Sequence, residues 1–266
     1  TLKLYGQELN LITSAIARIN MFMHNVDEFL IVQGDTLDSP QILENDELKK
    51  FDVIMANPPY SVKKWSQSKW MNDPFGRNIW GTPPQGCADY AFQQHIMKSL
   101  NPETGRCVVL WPHGVLFRDS EAEIRKRMIE EDYVDAVIGL GKNLFYNSSM
   151  ESCLLVCRMK KSKERKGKII FIDAKEELRI ERTNAWLEPQ HIKRISDAYW
   201  KCKDEEGFAK VMSNKEVLEN NGNLSLQLYV KQKANGIEHN TEDLLTEIKS
   251  GQKQINASIE TLFSQL

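Results

Sequence analysis

The chain has 266 residues, 41% of them hydrophobic and 27% charged, the composition of a globular chain with room for one large domain and an appendage. Disorder, collagen and small disulfide scaffolds are excluded. Lysine and arginine total 35 against 37 acids, a formal net charge of -2, so no global positive field holds a polyanion, and nucleic-acid contact must be local or shared with a partner.

In chain order, short apolar runs alternate with amphipathic stretches, the pattern of a parallel sheet wrapped by helices. Strands are predicted at Leu2 to Tyr5, Phe29 to Val32, Val53 to Ala56, Cys107 to Trp111, Val134 to Leu140, Cys153 to Met159 and Ile169 to Ile172. Helices are predicted at Glu8 to Met23, with Leu9, Ile12, Ile16 and Ile19 on one face, at Ala88 to Leu100, and at Glu121 to Glu131, which Asp119 and Ser120 would cap. The charged run Lys160 to Lys168 reads as a solvated connection or a phosphate contact. A helical pattern follows from Leu178 to Trp200, then a polar turn at Asn220 to Asn223 before Leu224 to Val230. In the tail, Leu245, Ile248, Gln252, Ile255, Ile259, Leu262 and Leu266 follow alternating three- and four-residue steps. That is a heptad seam for a partner helix, or an amphipathic face packed on its own domain.

Five cysteines, Cys87, Cys107, Cys153, Cys157 and Cys202, are odd in number and three fall in strand-like runs. They read as reduced core thiols of a cytoplasmic protein, with no bridge and no metal site expected. No apolar run reaches the roughly 18 residues of a membrane span, and the N-terminus lacks a secretory layout. Thr1 stands immediately before a strand-like run, which reads as a start inside a longer protein.

The chemistry concentrates at Asn57, Pro58, Pro59 and Tyr60, directly after the Val53 to Ala56 strand. Two prolines cannot extend a sheet, so the chain must leave it in a rigid turn. Such a turn can aim the Asn57 amide oxygen and the Pro58 carbonyl at one point, two acceptors for the two hydrogens of a planar amine. They would favour positive charge on the nitrogen as it attacks a methyl group, while Tyr60 offers a flat face to an extruded base. Glu8 and Asp35 precede the turn at strand ends, where ligands of open α/β sheets bind and where acids accept from ribose hydroxyls or a nucleoside amine. His95 and His113 read as structural, because the amine needs no base before attack.

The motifs Tyr-Gly-Gln-Glu (5 to 8), Gly-Asp-Thr-Leu (34 to 37), Asn-Pro-Pro-Tyr (57 to 60), Ala-Asp-Tyr-Ala-Phe-Gln-Gln-His (88 to 95), the Gly-Arg-Cys-Val-Val-Leu-Trp-Pro-His-Gly-Val-Leu-Phe run (105 to 117) and Ile-Ile-Phe-Ile-Asp-Ala (169 to 174) occur in that order. The series resembles the modification subunits of Type I restriction-modification systems. That resemblance implies a site-specific adenine N6-methyltransferase acting on double-stranded DNA with S-adenosylmethionine (AdoMet). It also implies a specificity subunit held by the C-terminal helix, a second modification subunit and a restriction subunit. The implied fold is a Rossmann-like α/β methyltransferase sheet followed by a helical extension. Residues 1–175 would form the catalytic core, 176–239 its extension and 240–266 the partner-binding helix.

Residue by residue, the resemblance makes Asn57, Pro58, Pro59 and Tyr60 the catalytic turn. Glu8 becomes the cofactor ribose ligand, and Asp35 with Thr36, Leu37 and Asn57 the rest of the cofactor site. The loop carrying Lys63, Lys64, Trp65, Lys69 and Arg77 becomes a DNA-facing element, or else folds back as a lid or satellite core. The family's glycine-rich cofactor loop and the first strand it follows find no match here, so the sheet should open in its middle and this chain alone should bind AdoMet weakly or not at all and methylate nothing. Two alternatives stay open: a non-catalytic assembly fragment, and a methyltransferase for protein glutamine or ribosomal RNA.

Overall fold

The computed structural model describes residues 2–145, 148–182, 184–231, 245, 246, 248–253 and 255. Val134–Leu140 (β7) is buried at every position, as a run that is apolar apart from Gly139 and the ion-paired Asp135 demands of a strand covered on both faces. Around it lie β5 (Val53–Ala56), β6 (Arg106–Pro112), β8 (Ser152–Arg158), β9 (Lys168–Ala174) and β12 (Ala209–Ser213), in the order β12-β9-β7-β8-β6-β5. The β5/β6 and β7/β9 pairs are parallel, and β8 runs antiparallel between β6 and β7. Helices α3 (Asp89–Lys98), α4 (Ala122–Glu130), α6 (Asn214–Glu219) and α7 (Leu226–Tyr229) pack Tyr90, Met128, Val217 and Tyr229 against one face, with Trp111 and Phe171. On the other, α5 (Pro189–Lys201) packs Ile195 and Ala198 against Ile138, Ile170 and Ile172. The α/β expectation therefore holds, and Cys107, Cys153 and Cys157 are buried in it as expected.

The sheet is in two pieces. β1 (Leu4–Glu8) and β2 (Phe29–Gln33), joined by α1 (Leu11–Met23), form a separate parallel pair in register from Leu4/Phe29 to Glu8/Gln33. β5 is therefore an edge strand, with Met55 81% exposed, and the two pieces touch where Tyr5 packs on Phe51, ring centroids 5.3 Å apart. The predicted apolar face of α1, Leu9, Ile12, Ile16 and Ile19, is exposed rather than buried. Glu8 ends β1 instead of opening α1, whose cap is Asn10, accepting from the Thr13 amide at 3.0 Å.

Other boundaries move for local reasons. Two short hairpins, β3/β4 (Leu43–Glu44, Glu47–Leu48) and β10/β11 (Arg179–Glu181, Asn184–Trp186), add to the predicted elements. The second takes the front half of the helix predicted from Leu178, because Glu188 and His191 form a capping box and Pro189 takes the first turn, which starts α5 there. A short helix, α2 (Gln67–Met71), lies in the 61–88 loop. Asp119 and Ser120 do not cap α4 but sit in a 3-10 turn, Asp119–Glu121. The Lys160 to Lys168 run is mostly exposed, as a solvated connection should be, but two of its cations turn inward: the Lys161 side chain, 1% exposed, pairs with Asp132 at 2.7 Å, and Arg165 with buried Asp135 at 2.9 Å. Residues 232–266 form a second unit, in which Leu245, Ile248, Gln252 and Ile255 are helical and Leu245, Ile248 and Ile255 exposed. Ile259, Leu262 and Leu266 lie outside the described residues.

Candidate active site

The turn leaves the carboxyl end of β5. Tyr60 is half-buried, its ring 6.3 Å from that of Trp111, and its hydroxyl donates to Asn57 Oδ1 at 2.7 Å. Burial, then the neighbouring Cys153 and Asp89, pushes the Tyr60 phenol pKa upward, so the group stays a donor. Ser61 then adopts φ +50°, a left-handed conformation disfavoured for a serine. What holds it is Asp89, fully buried at the start of α3, whose Oδ1 accepts the Ser61 amide at 2.6 Å. Arg118 donates to Asp89 and, at 2.7 Å, to Glu121, while the Cys87 thiol donates to Asp89 at 3.1 Å. Burial raises the Glu121 carboxyl above the usual range against the opposing pull of Arg118. Cys87, Asp89 and Glu121 lie close enough for three metal ligands, but the Arg118 guanidinium already supplies the positive charge among them.

Across the end of the sheet the turn faces Phe145, Ser148, Met150 and Ser152, which together line an open cavity of about 310 Å³. The loop before β8 thus sets an aromatic ring in the same cavity as Tyr60. Neither Phe145 nor Ser152 is legible as a site residue in the sequence, where no feature links either to residue 57. Asp89 stands in the Ala88 to His95 motif, which by itself assigns it no role.

The two strand-end acids come together on β1/β2, where the Gly34 amide donates to the Glu8 carbonyl at 3.0 Å. Glu8 Oε1 accepts from the Asn10 amide at 2.7 Å. Asp35 Oδ1 accepts from the Leu37 and Asp38 amides at 2.8 and 3.1 Å. Thr36 and Leu37 present their carbonyls to Arg77 Nη1 and Nη2, each at 2.8 Å.

That arrangement corrects the DNA-facing assignment of Arg77, which is 2% exposed. It forks onto Asp73 at 2.6 Å and lies 4.8 Å from the centre of the Trp70 ring. Burial alone would raise the Asp73 carboxyl, but the Arg77 hydrogen bonds and charge outweigh it and hold the pKa below the usual range. Trp65 also turns inward, half-buried, stacked edge-on to Trp70 and donating to the Gln85 carbonyl at 3.1 Å. The loop is a satellite core around Leu37, Trp70, Ala88 and Ala91, because its aromatic rings carry apolar area that is costly to leave in water. Lys63, Lys64 and Lys69 remain exposed, the last paired with Asp38 at 2.7 Å. His95 and His113 are structural: His95 sits against Arg77 at 3.3 Å and His113 Nε2 meets the Ser152 carbonyl at 3.1 Å.

Residues 1–237 match the family described as N-6 DNA Methylase. The chain is 33% identical to the Type I restriction enzyme MpnII methylase subunit of Mycoplasma pneumoniae, over 98% of this chain and 50% of that protein. It is 34% identical to the MjaVII methylase subunit of Methanocaldococcus jannaschii, over 85% and 40% respectively. A crystal structure of the type I restriction-modification system methyltransferase subunit from Streptococcus thermophilus superposes with a TM-score of 0.78 at 35% identity, covering 85% of this chain and 48% of that one. The chain spans about half the length of the relatives it matches. With the family matched over residues 1–237, the chain belongs to the N-6 DNA methylase family.

Proposed function

We propose that this chain is the catalytic portion of a DNA adenine N6-methyltransferase, the modification subunit of a Type I restriction-modification system working in the cytoplasm. The observation that carries this reading is the cavity in which Asn57, Pro58 and Tyr60 face Phe145. An extruded adenine would lie between the Tyr60 and Phe145 rings, as a flat heterocycle favours. Asn57 Oδ1 and the Pro58 carbonyl would accept its two amine hydrogens. To admit the amine, Tyr60 must share or give up its bond to Asn57 Oδ1. As the nitrogen attacks, the two acceptors stabilise the positive charge that develops there, and the surplus proton leaves to water afterwards.

AdoMet, the cofactor class of the family, supplies the electrophilic methyl group when bound. The residues present fit its nucleoside half. Among the described residues, Glu8 and Asp35 each spend one carboxylate oxygen on local turns, which leaves the other for a ribose hydroxyl and for the adenine amine. Thr36 and Leu37 would line the same site, held by Arg77. Residues 1–175 would act as catalytic core and 176–239 as its extension. Lys63, Lys64 and Lys69 are the candidate DNA contacts, and the helical tail would dock the specificity subunit that selects the target, within a complex that also holds a second modification subunit and a restriction subunit. The family match does not favour the protein-glutamine or ribosomal-RNA alternative.

The test begins with calorimetric titration of AdoMet into this chain, alone and with the N-terminal half of a relative added, using Asp35→Ala as control. Binding that appears on addition and disappears in Asp35→Ala is expected. Failure of a full-length protein with its specificity subunit to methylate adenine in DNA would sink the reading.

A further inference from the structure

Ser152, the first residue of β8, is fixed on three sides. It pairs with Pro112 of β6 and with Leu140 of β7, and its carbonyl is engaged by His113 Nε2 at 3.1 Å. Its side chain is not. The residue is 2% exposed, and its hydroxyl oxygen has neither solvent nor a hydrogen-bond partner among the described residues. Buried hydroxyls are normally paired, and an unpaired one lowers stability where alanine would fill the space without that cost. Ser152 is one of the residues lining the cavity that holds Asn57, Tyr60 and Phe145, whose walls are otherwise mostly ring, proline and thioether surfaces.

We infer that the Ser152 hydroxyl is a base-contact group, donating a hydrogen bond to a ring nitrogen of the planar base whose amine is held by Asn57 and Pro58. The inference rests on the proposed reading of the cavity as the base pocket. Its chemical basis is that adenine carries acceptor nitrogens on both sides of its amine, N1 on one and N7 on the other. A donor beside the amine site therefore meets an acceptor in either orientation of the ring. The hydroxyl becomes satisfied only when the base is seated, so its pairing is realised in the complex and not in the free protein. Such a group costs folding stability and returns recognition.

The cavity lies wholly within this chain, so the chain itself can be used. Adenosine, 1-deazaadenosine and 7-deazaadenosine are titrated into the wild-type protein and Ser152→Ala, with binding followed by NMR shifts of the tyrosine and phenylalanine rings. Unfolding midpoints of both proteins are measured in urea. One deaza analogue is expected to bind the wild type about tenfold more weakly than adenosine, a difference of the size of one hydrogen bond. Ser152→Ala should bind adenosine about tenfold more weakly and no longer distinguish that analogue. Its midpoint should be no lower than that of the wild type. If Ser152→Ala binds and discriminates like the wild type, the contact is refuted while the base-pocket reading stands. A lowered midpoint with unchanged discrimination assigns the hydroxyl to the fold and also refutes it. Failure of the wild type to bind any of the three nucleosides overturns the pocket reading and the inference together.

Discussion

Arg77→Ala separates a structural strut from a DNA contact. Arg77 and Asp73 are each 2% exposed and joined at 2.6 Å, so the substitution strands a buried carboxylate. It also leaves the Thr36 and Leu37 carbonyls without the donors they meet at 2.8 Å. Breaking a buried pair from one side costs about 3–5 kcal/mol, and the cost of the two carbonyl bonds overlaps with that figure rather than adding to it. We expect destabilisation by about 4 kcal/mol, a large share of the roughly 5–15 kcal/mol that holds a domain folded. At a urea slope of about 3 kcal/mol/M or less, the midpoint falls by more than about 1 M. DNA affinity of the reconstituted full-length protein, measured across salt concentrations under conditions where the variant remains folded, provides the second reading. Removing one phosphate-binding cation flattens the plot of log affinity against log salt by about 0.9. Arg77→Ala should leave that slope unchanged, and Lys63→Ala and Lys64→Ala should each reduce it. An Arg77→Ala protein of near wild-type stability whose salt slope falls would refute the reasoning.

His95 carries a pH signature. Burial, then the adjacent Arg77, pushes its pKa down to about 3, against about 6.5 unfolded. Because the unfolded chain takes up the proton first, this contribution to stability is complete above about pH 6.5 and is lost as the pH falls toward 3, at about 1.4 kcal/mol per unit. Between pH 6.5 and 5 the wild type should lose about 2 kcal/mol more than His95→Gln in urea unfolding; equal losses would show that His95 is solvated. Asp89→Asn weakens the acceptor of the Ser61 amide and the anchor of Arg118. Hydrogen exchange of residues 57–62 should accelerate about tenfold, as expected for the weakening of one charge-assisted hydrogen bond. Methyl transfer by the reconstituted protein should fall further than its AdoMet affinity. Unchanged exchange would mean that the left-handed Ser61 is held by other interactions.

What is legible in the sequence follows from how local each signal is. β7 declares itself because all of its residues but Asp135 are apolar or glycine, and the Asn57 turn because two prolines forbid continuation of β5. The front of α5 is masked by the apolar spacing at Leu178 and beyond, which suits a helix, although its start is marked locally by Pro189 in the first turn and the capping pair Glu188 and His191. Arg77 and Trp65 escape a sequence reading because composition reports aromatic and basic side chains but not which way they face. The burial of Arg77 depends on Thr36 and Leu37, some forty positions away. Phe145 and Ser152 reach the site only through the pairing of β8 with β6 and β7, about ninety residues from Asn57 in sequence. Ser61 needs its buried acceptor, and only folding reveals that this is Asp89.

The division of the sheet gives these long-range struts their functional weight. The strand-end acids ride on β1/β2 and the turn rides on the six-stranded sheet, and among the described residues no β-ladder joins the two. The Tyr5–Phe51 contact joins the pieces near the amino ends of their strands. Toward the carboxyl ends, Arg77 takes that part: it grips Thr36 and Leu37, next to Asp35, from the loop that follows the turn. The same loop is tied to Asp38 by Ser66 and Lys69, at 2.6 and 2.7 Å. The spacing between the proposed cofactor acids and Asn57 is therefore set largely by the satellite core around Trp70, not by the main sheet. Arg77 should matter for AdoMet binding although its contacts among the described residues are the Thr36 and Leu37 carbonyls, Asp73, His95 and the Trp70 and Phe75 rings, and Arg77→Ala should weaken that binding even at temperatures where the protein remains folded. If affinity is unchanged there, Asp35 keeps its place through the Asx turn at Leu37 and Asp38 alone.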